Sequence, residues 1–246
     1  MNNGLVIIPT FNEKENIEDI IRTVFNLKTP FDILIVEDNS PDGTAAIVKR
    51  LMAEFPDRLN ILEREGKLGL GTAYIMGFKW ALQHPYEYVF EMDADFSHNP
   101  ADLERLVFPL HNHDADVVIG SRYISGVNVV NWPMGRVLMS YYASAYVRLV
   151  TGMKIRDTTA GFVGWRRKVL EAIDFDKIKF VGYAFQIEMK FTAIKLDFKV
   201  VEIPIIFTDR TKGESKMNNS IFREAVLGVI SLRKRGMMGK IKPRKH

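Results

Sequence analysis

The stretch Tyr88-Val89-Phe90-Glu91-Met92-Asp93-Ala94-Asp95, followed by Phe96-Ser97-His98-Asn99-Pro100, decides how the rest of the chain is read. Residues 88–92 have the apolar density of a strand buried on both faces, and two carboxylates stand one residue apart where it ends. The polar turn then enters a helix expected to be capped by Asn99, with Pro100 in its first position. Open α/β sheets bind ligands in the crevice beyond the carboxyl ends of their strands. Asp93 and Asp95 therefore stand where a divalent cation is held, since Mg²⁺ or Mn²⁺ takes one or two carboxylates and shares its other positions between water and substrate phosphates. The same pair would also serve simply to end a strand and solvate a turn. The surrounding sequence has to decide.

Upstream, Gly4-Leu5-Val6-Ile7-Ile8 and Asp32-Ile33-Leu34-Ile35-Val36 are two more continuous apolar runs, and a third strand is expected near Leu59 to Leu62. Helical periodicities separate them. Ile17, Ile20, Ile21, Val24 and Phe25 recur on one helix face, with Asn12 and Glu15 read as a capping box ahead of them. Val48, Leu51, Met52 and Phe55 face inward from a second helix, and Ala73, Met76, Gly77 and Trp80 belong to a third. Strands alternating with helices of about 10–15 residues predict βαβ units and a mostly parallel sheet. Each strand ends in polar residues, Pro9-Thr10-Phe11-Asn12-Glu13, Glu37-Asp38, Lys67 and Asp93-Ala94-Asp95, so one crevice collects them all. The loop Gly66-Lys67-Leu68-Gly69-Leu70-Gly71 lacks the Gly-Lys-Ser/Thr ending of a P-loop, and the first strand lacks GxGxxG. Its glycines are read either as letting the backbone and Lys67 approach a ligand or as a helix-entry turn.

Composition removes other chemistries. The chain has no cysteine, hence no disulfide, thiolate zinc site or cysteine nucleophile. Its histidines, His84, His98, His111, His113 and His246, show no metal-ligand spacing. No apolar run approaches the ~18 residues of a membrane span, and Met1 is not followed by the charged region and cleavage site of a signal peptide. A cytoplasmic chain, peripheral at the membrane face, is expected. The net charge is +4, yet residues 233–246 hold seven lysines and arginines and no acid, leaving −3 on the remainder. With 47% hydrophobic residues and no low-complexity divider, the expectation is one catalytic domain over 1–232 and a basic tail over 233–246.

Four segments occur in a telling order: Val6-Ile7-Ile8-Pro9-Thr10-Phe11-Asn12-Glu13, Val36-Glu37-Asp38-Asn39-Ser40-Pro41-Asp42-Gly43-Thr44, Lys67-Leu68-Gly69-Leu70-Gly71-Thr72-Ala73-Tyr74 and Met92-Asp93-Ala94-Asp95-Phe96-Ser97-His98. They continue through Gly120-Ser121-Arg122-Tyr123, Asn131-Trp132-Pro133 with Arg136, Asp157-Thr158-Thr159-Ala160-Gly161-Phe162, Gly182-Tyr183-Ala184-Phe185-Gln186-Ile187-Glu188 and Asp209-Arg210-Thr211-Lys212-Gly213-Glu214-Ser215-Lys216-Met217. In order and spacing the set resembles inverting family-2 glycosyltransferases and, more narrowly, polyprenol (dolichol) phosphate mannosyltransferases, in a form without transmembrane helices.

The resemblance implies a single GT-A-like α/β domain, a mostly parallel sheet flanked by helices. The implied activity is transfer of mannose from GDP-mannose to a polyprenyl or dolichyl phosphate with inversion. A polyprenyl-phosphate glucosyltransferase using UDP-glucose and a non-catalytic nucleotide-sugar-binding module are the alternatives. It further implies that Pro9, Phe11, Glu13, Val36, Asp38, Lys67 and Ala94 line the donor site. Asp93 and Asp95 would position the diphosphate through Mg²⁺ or Mn²⁺, with Ser97 at a position where some relatives carry a ligating Gln. Arg210 and Lys216 would clamp phosphates from a late loop, and Arg122 and Arg136 would approach the acceptor phosphate. Surface ion pairing is the plainer use of those two arginines.

The chemistry is consistent with that set. A phosphate acceptor with a second pKa near ~6 is already a nucleophile at neutral pH, so no general base is needed. The main demand is to stabilise charge on the leaving diphosphate. Asp157 is read as structural, shaping the acceptor side or capping a turn, and Tyr183, Gln186 and Glu188 as a polar helix entrance before core-facing Phe185, Met189 and Ala193. Residues 137–150 read either as an interfacial helix, for their Leu, Met and Tyr, or as a buried core helix. Phe222, Ala225, Val226, Val229 and Ile230 form the buried stripe of a last helix that runs into the basic tail. The tail suits an anionic membrane surface; specific nucleic-acid binding is not expected, and a membrane-anchoring partner protein is left open.

Overall fold

The computed structural model describes residues 4–182, 184–209 and 219–244, with backbone alone over 219–227. Strands β1 (Gly4–Thr10), β2 (Asp32–Glu37), β3 (Leu59–Glu63) and β4 (Tyr88–Glu91) alternate with helices α1 (Ile17–Phe25), α2 (Thr44–Met52) and α3 (Leu70–Ala81). Then follow α4 (Asp102–His111), β5 (Val117–Ser121), β6 (Val129–Val130), α5 (Met134–Thr151), β7 (Val163–Arg166), α6 (Arg167–Ala172), α7 (Ala184–Lys195), β8 (Val200–Pro204), β9 (Phe207–Thr208) and α8 (Asn219–Met237). The main sheet has the order β3-β2-β1-β4-β7-β5-β8, and β6 pairs with β9 in a small ribbon. Only β7 runs antiparallel, wedged between β4 and β5. The chain steps outward from β1 to β2 and β3, then returns to place β4 on the other flank of β1. That reversal opens the ligand crevice between the ends of β1 and β4.

Both sheet faces are covered, which is why the strands read as unbroken apolar runs rather than alternating ones. Leu5 and Ile7 point to the face packed by Tyr74, Phe78, Trp165 and Phe185. Val6 and Ile8 point to the face packed by Ile17, Ile20, Ile21, Val48, Leu51 and Leu106.

Several local expectations change. Asn12 does not cap α1: it takes left-handed backbone at φ 56°, and the helix starts at Ile17. The first turn is closed instead by Glu13 O, which accepts the N–H of Asn16 and Ile17. α4 starts at Asp102 with Ala101 at its N-cap, so Asn99 and Pro100 lie in the turn ahead of it, where Asn99 Oδ1 accepts the Ala101 N–H at 3.1 Å. The buried face of α3 is Ala73, Tyr74, Gly77, Phe78 and Ala81, whereas Met76 is exposed. Gly77 allows this close crossing, since a Cβ there would sit 2.8 Å from Ile7. Gly69 and Gly71 also serve the chain itself: a Cβ would lie 2.8 Å from Val181 O at Gly69 and 2.8 Å from Phe185 at Gly71.

α5 is not a core helix. It turns Ser144, Val147 and Thr151 inward and leaves Met134, Leu138, Met139, Tyr141, Tyr142 and Leu149 exposed. α8 passes through residue 233 and ends at Met237, so the basic stretch begins inside a helix. There Arg235 pairs with buried Glu188, and Ile241 beyond the helix packs on the core. Val229 and Leu232 are the buried residues of its described face, and Ile230 is exposed; the side chains of Phe222, Ala225 and Val226 lie outside the described residues.

Candidate active site

Parallel register sets Thr10 beside Glu37 and Glu37 beside Glu63, so the loops after β1, β2 and β3 share one rim. The first two are laced together. Ser40 Oγ, Thr44 Oγ1 and Asp42 Oδ2 accept the N–H groups of Asn12, Glu13 and Lys14 at 3.0, 3.1 and 3.0 Å. Buried Glu37 accepts the N–H groups of Asn39 and Ser40 at 2.8 and 2.9 Å, holding Asn39 at φ 57°. Left-handed backbone away from glycine is most accessible to Asn. Pro9, Phe11, Glu13 and Asp38 thus come together on a prebuilt rim, and the Lys67 ammonium lies 5.4 Å above the Phe11 ring, whereas the Val36 side chain is fully buried in the core beneath it.

Sequence reading missed Arg64. It follows β3 as Asp38 follows β2, and its Nη1 stands 3.1 Å from Asp38 Oδ1 with both side chains buried. Its Nη2 donates to Thr72 Oγ1 at 2.6 Å. A buried carboxylate needs such a partner. The available signal was a cation directly after a strand that neighbours one ending in an acid.

At the reversal point the Asp93 side chain is 40% exposed while Asp95 and Ala94 are buried. The Ser97 N–H donates to Asp95 Oδ1 at 3.0 Å, so Ser97 enters the site through its backbone. Phe96, between them, is held at φ 58°, local strain of the kind functional loops retain. His98, passed over in the sequence, is buried between the Phe162 ring, stacked at 4.9 Å, and the Phe207 ring, edge-on at 5.2 Å. Its Nδ1 faces the Asp93 N–H at 3.4 Å, the position of an acceptor, so the proton of a neutral imidazole belongs on Nε2. Burial lowers its pKa to about 4 against the opposing pull of Asp95. Among the described residues no cluster of three or more His, Cys, Asp or Glu is arranged for a metal. The donor set itself, the carboxylates of half-exposed Asp93 and buried Asp95, suits Mg²⁺ or Mn²⁺, ions that take one or two carboxylates and complete their shells with water and phosphate.

Across the crevice, Arg122 follows β5 and is buried. Its Nε and Nη2 donate to the two oxygens of Asp157, both at 2.7 Å, and its backbone N–H donates to Asp157 Oδ2 at 3.0 Å. Burial pushes the Asp157 carboxyl up, but the Arg122 charge and hydrogen bonds outweigh it and hold the group below its ordinary value. Asp157 is thus the anchor of Arg122, and their pair is internal, not a surface one. The guanidinium also lies 5.2, 5.7 and 5.6 Å from the rings of Tyr123, Trp132 and Phe207. Arg136, in the first turn of α5, stacks on the same Trp132 at 4.1 Å and pairs with Asp209 at 2.9 Å. One indole therefore brings together the two arginines expected near the acceptor. Gln186 and Glu188 are buried participants, Gln186 donating to Glu91 and Glu188 pairing with Arg235. Tyr183, Arg210 and Lys216 lie outside the described residues.

A profile of glycosyl transferase family 2 matches residues 5–174. The chain belongs to glycosyl transferase family 2. It is 45% identical over 234 residues to polyprenol monophosphomannose synthase of Mycolicibacterium smegmatis, covering 95% of this chain and 88% of that one. It is 43% identical over 225 residues to undecaprenyl-phosphate mannosyltransferase of Micrococcus luteus, covering 92% and 91%. Among solved structures, glucosyl-3-phosphoglycerate synthase of Mycobacterium tuberculosis aligns with TM-score 0.67 at 17% identity, covering 95% of this chain and 80% of that one. A mannosyltransferase from Pyrobaculum calidifontis in complex with GDP-Man and Mn²⁺ aligns with TM-score 0.54 at 16% identity, covering 96% and 74%. These structures share the GT-A-like fold of this family-2 chain.

Proposed function

We infer that this family-2 enzyme transfers mannose from GDP-mannose to a polyprenyl phosphate with inversion, releasing GDP. Near-complete alignment with the two lipid-phosphate mannosyl enzymes carries the reading. The rim of Pro9, Phe11, Glu13, Asp38 and Lys67 takes the nucleoside, with Arg64 fixing the Asp38 carboxylate and buried Val36 supporting the rim from the core. Asp93 and Asp95, with the Ser97 N–H orienting Asp95, would hold Mg²⁺ or Mn²⁺, whose charge would favour departure of the diphosphate. Arg210 and Lys216, which lie outside the described residues, would add positive charge for the diphosphate. Arg122 and Arg136 draw the acceptor phosphate in on the side of Trp132.

A phosphate oxygen forms the new bond to the anomeric carbon while the bond from that carbon to the GDP oxygen breaks, GDP leaving with the electron pair. No proton needs to move, because the acceptor is largely a dianion at neutral pH with its second pKa near ~6. Attack opposite the leaving group converts an α-linked donor into a β-linked product.

The enzyme works peripherally on a membrane face. α5 packs Val147, with Tyr146 and Val150, onto the core and yet also carries Met134, Leu138, Tyr142 and Leu149 outward, an apolar stripe on the side where a soluble surface helix is polar. Arg136 begins that same helix, so the acceptor phosphate would meet its cation where the apolar stripe starts. Exposed Met237 and Met238 precede Lys240, Lys242 and Arg244, each worth about 1 kcal/mol at an anionic leaflet. Among the described residues no helix is long and apolar enough to cross a membrane.

Purified protein offered radiolabelled GDP-mannose or UDP-glucose, short polyprenyl phosphate and Mn²⁺ or Mg²⁺ tests the reading by label extracted into organic solvent. Metal-dependent transfer from GDP-mannose alone is expected. Transfer from UDP-glucose instead would replace the sugar and the base. Donor binding without transfer from either would favour a binding module.

A further inference from the structure

Helix α7 carries two buried polar side chains one turn apart, Gln186 and Lys190, 1% and 0% exposed. Gln186 donates to Glu91, the last residue of β4 and two residues before Asp93. The other Glu91 oxygen accepts the Trp165 Nε1–H at 2.7 Å. Glu91 is further held by the sheet, where it lies opposite Ile7 on one side and Val163 on the other. That end of the helix is therefore anchored to a rigid strand.

One turn on, in the middle of the helix, Lys190 reaches a loop. The Lys190 ammonium donates to the carbonyls of Thr158, at 3.3 Å, and Ala160. Those carbonyls belong to the irregular segment that begins at Asp157, the anchor of Arg122, and Thr159 of the same segment accepts from Arg122 Nη2 at 2.8 Å. Lys190 thus lies within electrostatic reach of Asp157, the partner of Arg122, and of Glu91, a carboxyl that burial pushes up to about 7. Lys190 is attracted by both Asp157 and Glu91, while burial, the larger influence, pushes its pKa down to about 8.

A lysine without exposure is costly unless its charge is balanced and its protons are bonded. Spending one on two carbonyls of a connecting loop is hard to account for by packing alone. We propose that Lys190 is a positioning residue for the acceptor cation: by tying the 157–160 segment to the helix that also grips β4, it fixes Arg122 relative to Asp93 and Asp95. That separation sets how the acceptor phosphate meets the anomeric carbon of the bound donor. The assignment rests on the transferase reading above, with Arg122 on the acceptor side.

The test compares Lys190→Met, which keeps the length and removes charge and donors, with Lys190→Gln, which keeps a donor for a carbonyl. Four quantities are read on the full chain: melting temperature, GDP-mannose Kd by calorimetry with Mn²⁺, transfer kcat and KM for polyprenyl phosphate, and the slow loss of donor to water. Small displacements of a reacting group cost on the order of 10²-fold in rate. The expected result for Lys190→Met is transfer lowered at least about tenfold relative to donor hydrolysis, donor Kd within about threefold of wild type, and partial recovery in Lys190→Gln. Unchanged transfer kinetics, or donor affinity and transfer falling together in step with melting temperature, would overturn the proposal. If Lys190→Met does not fold, Lys190→Gln is judged by the same ratio of transfer to hydrolysis. A wild-type chain that binds donor but transfers nothing would remove the reading beneath the proposal, a result separable from failure of the variants alone.

Discussion

The two flanks of the crevice are built differently. On the donor flank, the loops after β1 and β2 hold each other through side chains that accept backbone N–H groups, all within segments that also begin helices. On the flank proposed for the acceptor, Arg122 is oriented by Asp157 from a remote loop, and that loop is pinned in turn by Lys190 from α7. The first arrangement is local chemistry repeated at successive strand ends. The second joins charges far apart in the chain that the assembled sheet brings beside one another. A fixed rim suits a donor whose base and ribose are constant, while charges on a separate flank can be arranged around a lipid acceptor.

The sharpest way to break this contrast is at the boundary between the flanks. Asp95→Asn should lower metal-dependent transfer by about 10²–10³-fold, the scale seen when a preorganised electrostatic group is lost, with chelation of the metal equally damaging. Activity retained at wild-type level in the lipid-extraction assay would move the metal site elsewhere.

Asp157→Ala, on the acceptor flank, strands a buried guanidinium. It should cost about 3–5 kcal/mol in denaturant unfolding, far more than an exposed pair such as Lys49 with Glu63. The wild-type pair adds an acid sensitivity of defined sign. Because the folded Asp157 carboxyl lies below its ordinary value, its contribution is complete above the unfolded value of ~3.9 and disappears as pH falls through the lower folded one. Melting curves taken below about pH 4 should show this loss in wild type and not in Asp157→Ala.

Gly71→Ala probes the packing behind the donor loop. Its Cβ would meet Phe185 at 2.8 Å, which predicts overpacking of about 1–3 kcal/mol in urea unfolding. If the glycine instead served only ligand approach, GDP-mannose affinity would drop with stability unchanged. The smallest effect on folding belongs to the outward face of α5. Tyr142→Ser with Leu149→Ser should stay within about 0.5 kcal/mol in unfolding and yet reduce flotation with anionic liposomes at ~0.15 M salt. Liposome binding equal to wild type would detach α5 from the membrane.

The mostly parallel sheet, the succession of the first four strands along the chain and the buried faces of α1 and α2 were legible in the sequence, as was the carboxylate pair Asp93 and Asp95 on which the proposed metal role rests. Their signals are continuous apolar runs, helical periodicity and turn residues within a few positions of each other. Where such local signals competed, tertiary structure chose. Asn12 was a plausible cap, but Ser40 captured its N–H and left it in left-handed backbone. α5 carried apolar residues enough for a core helix, but Ser144, Val147 and Thr151 were the ones turned inward.

What the sequence by itself determined, then, is the alternation of strands and helices and the placing of two carboxylates where a buried strand ends. Only the tertiary structure decided which charges became partners: Arg64 with Asp38, Arg122 with Asp157 across 35 residues, and Lys190 with carbonyls 32 and 30 residues away. The physical reason is range. Periodicity, caps and turns are set by neighbours along the chain, whereas a buried ion must find whatever opposite charge or carbonyl the sheet register brings beside it.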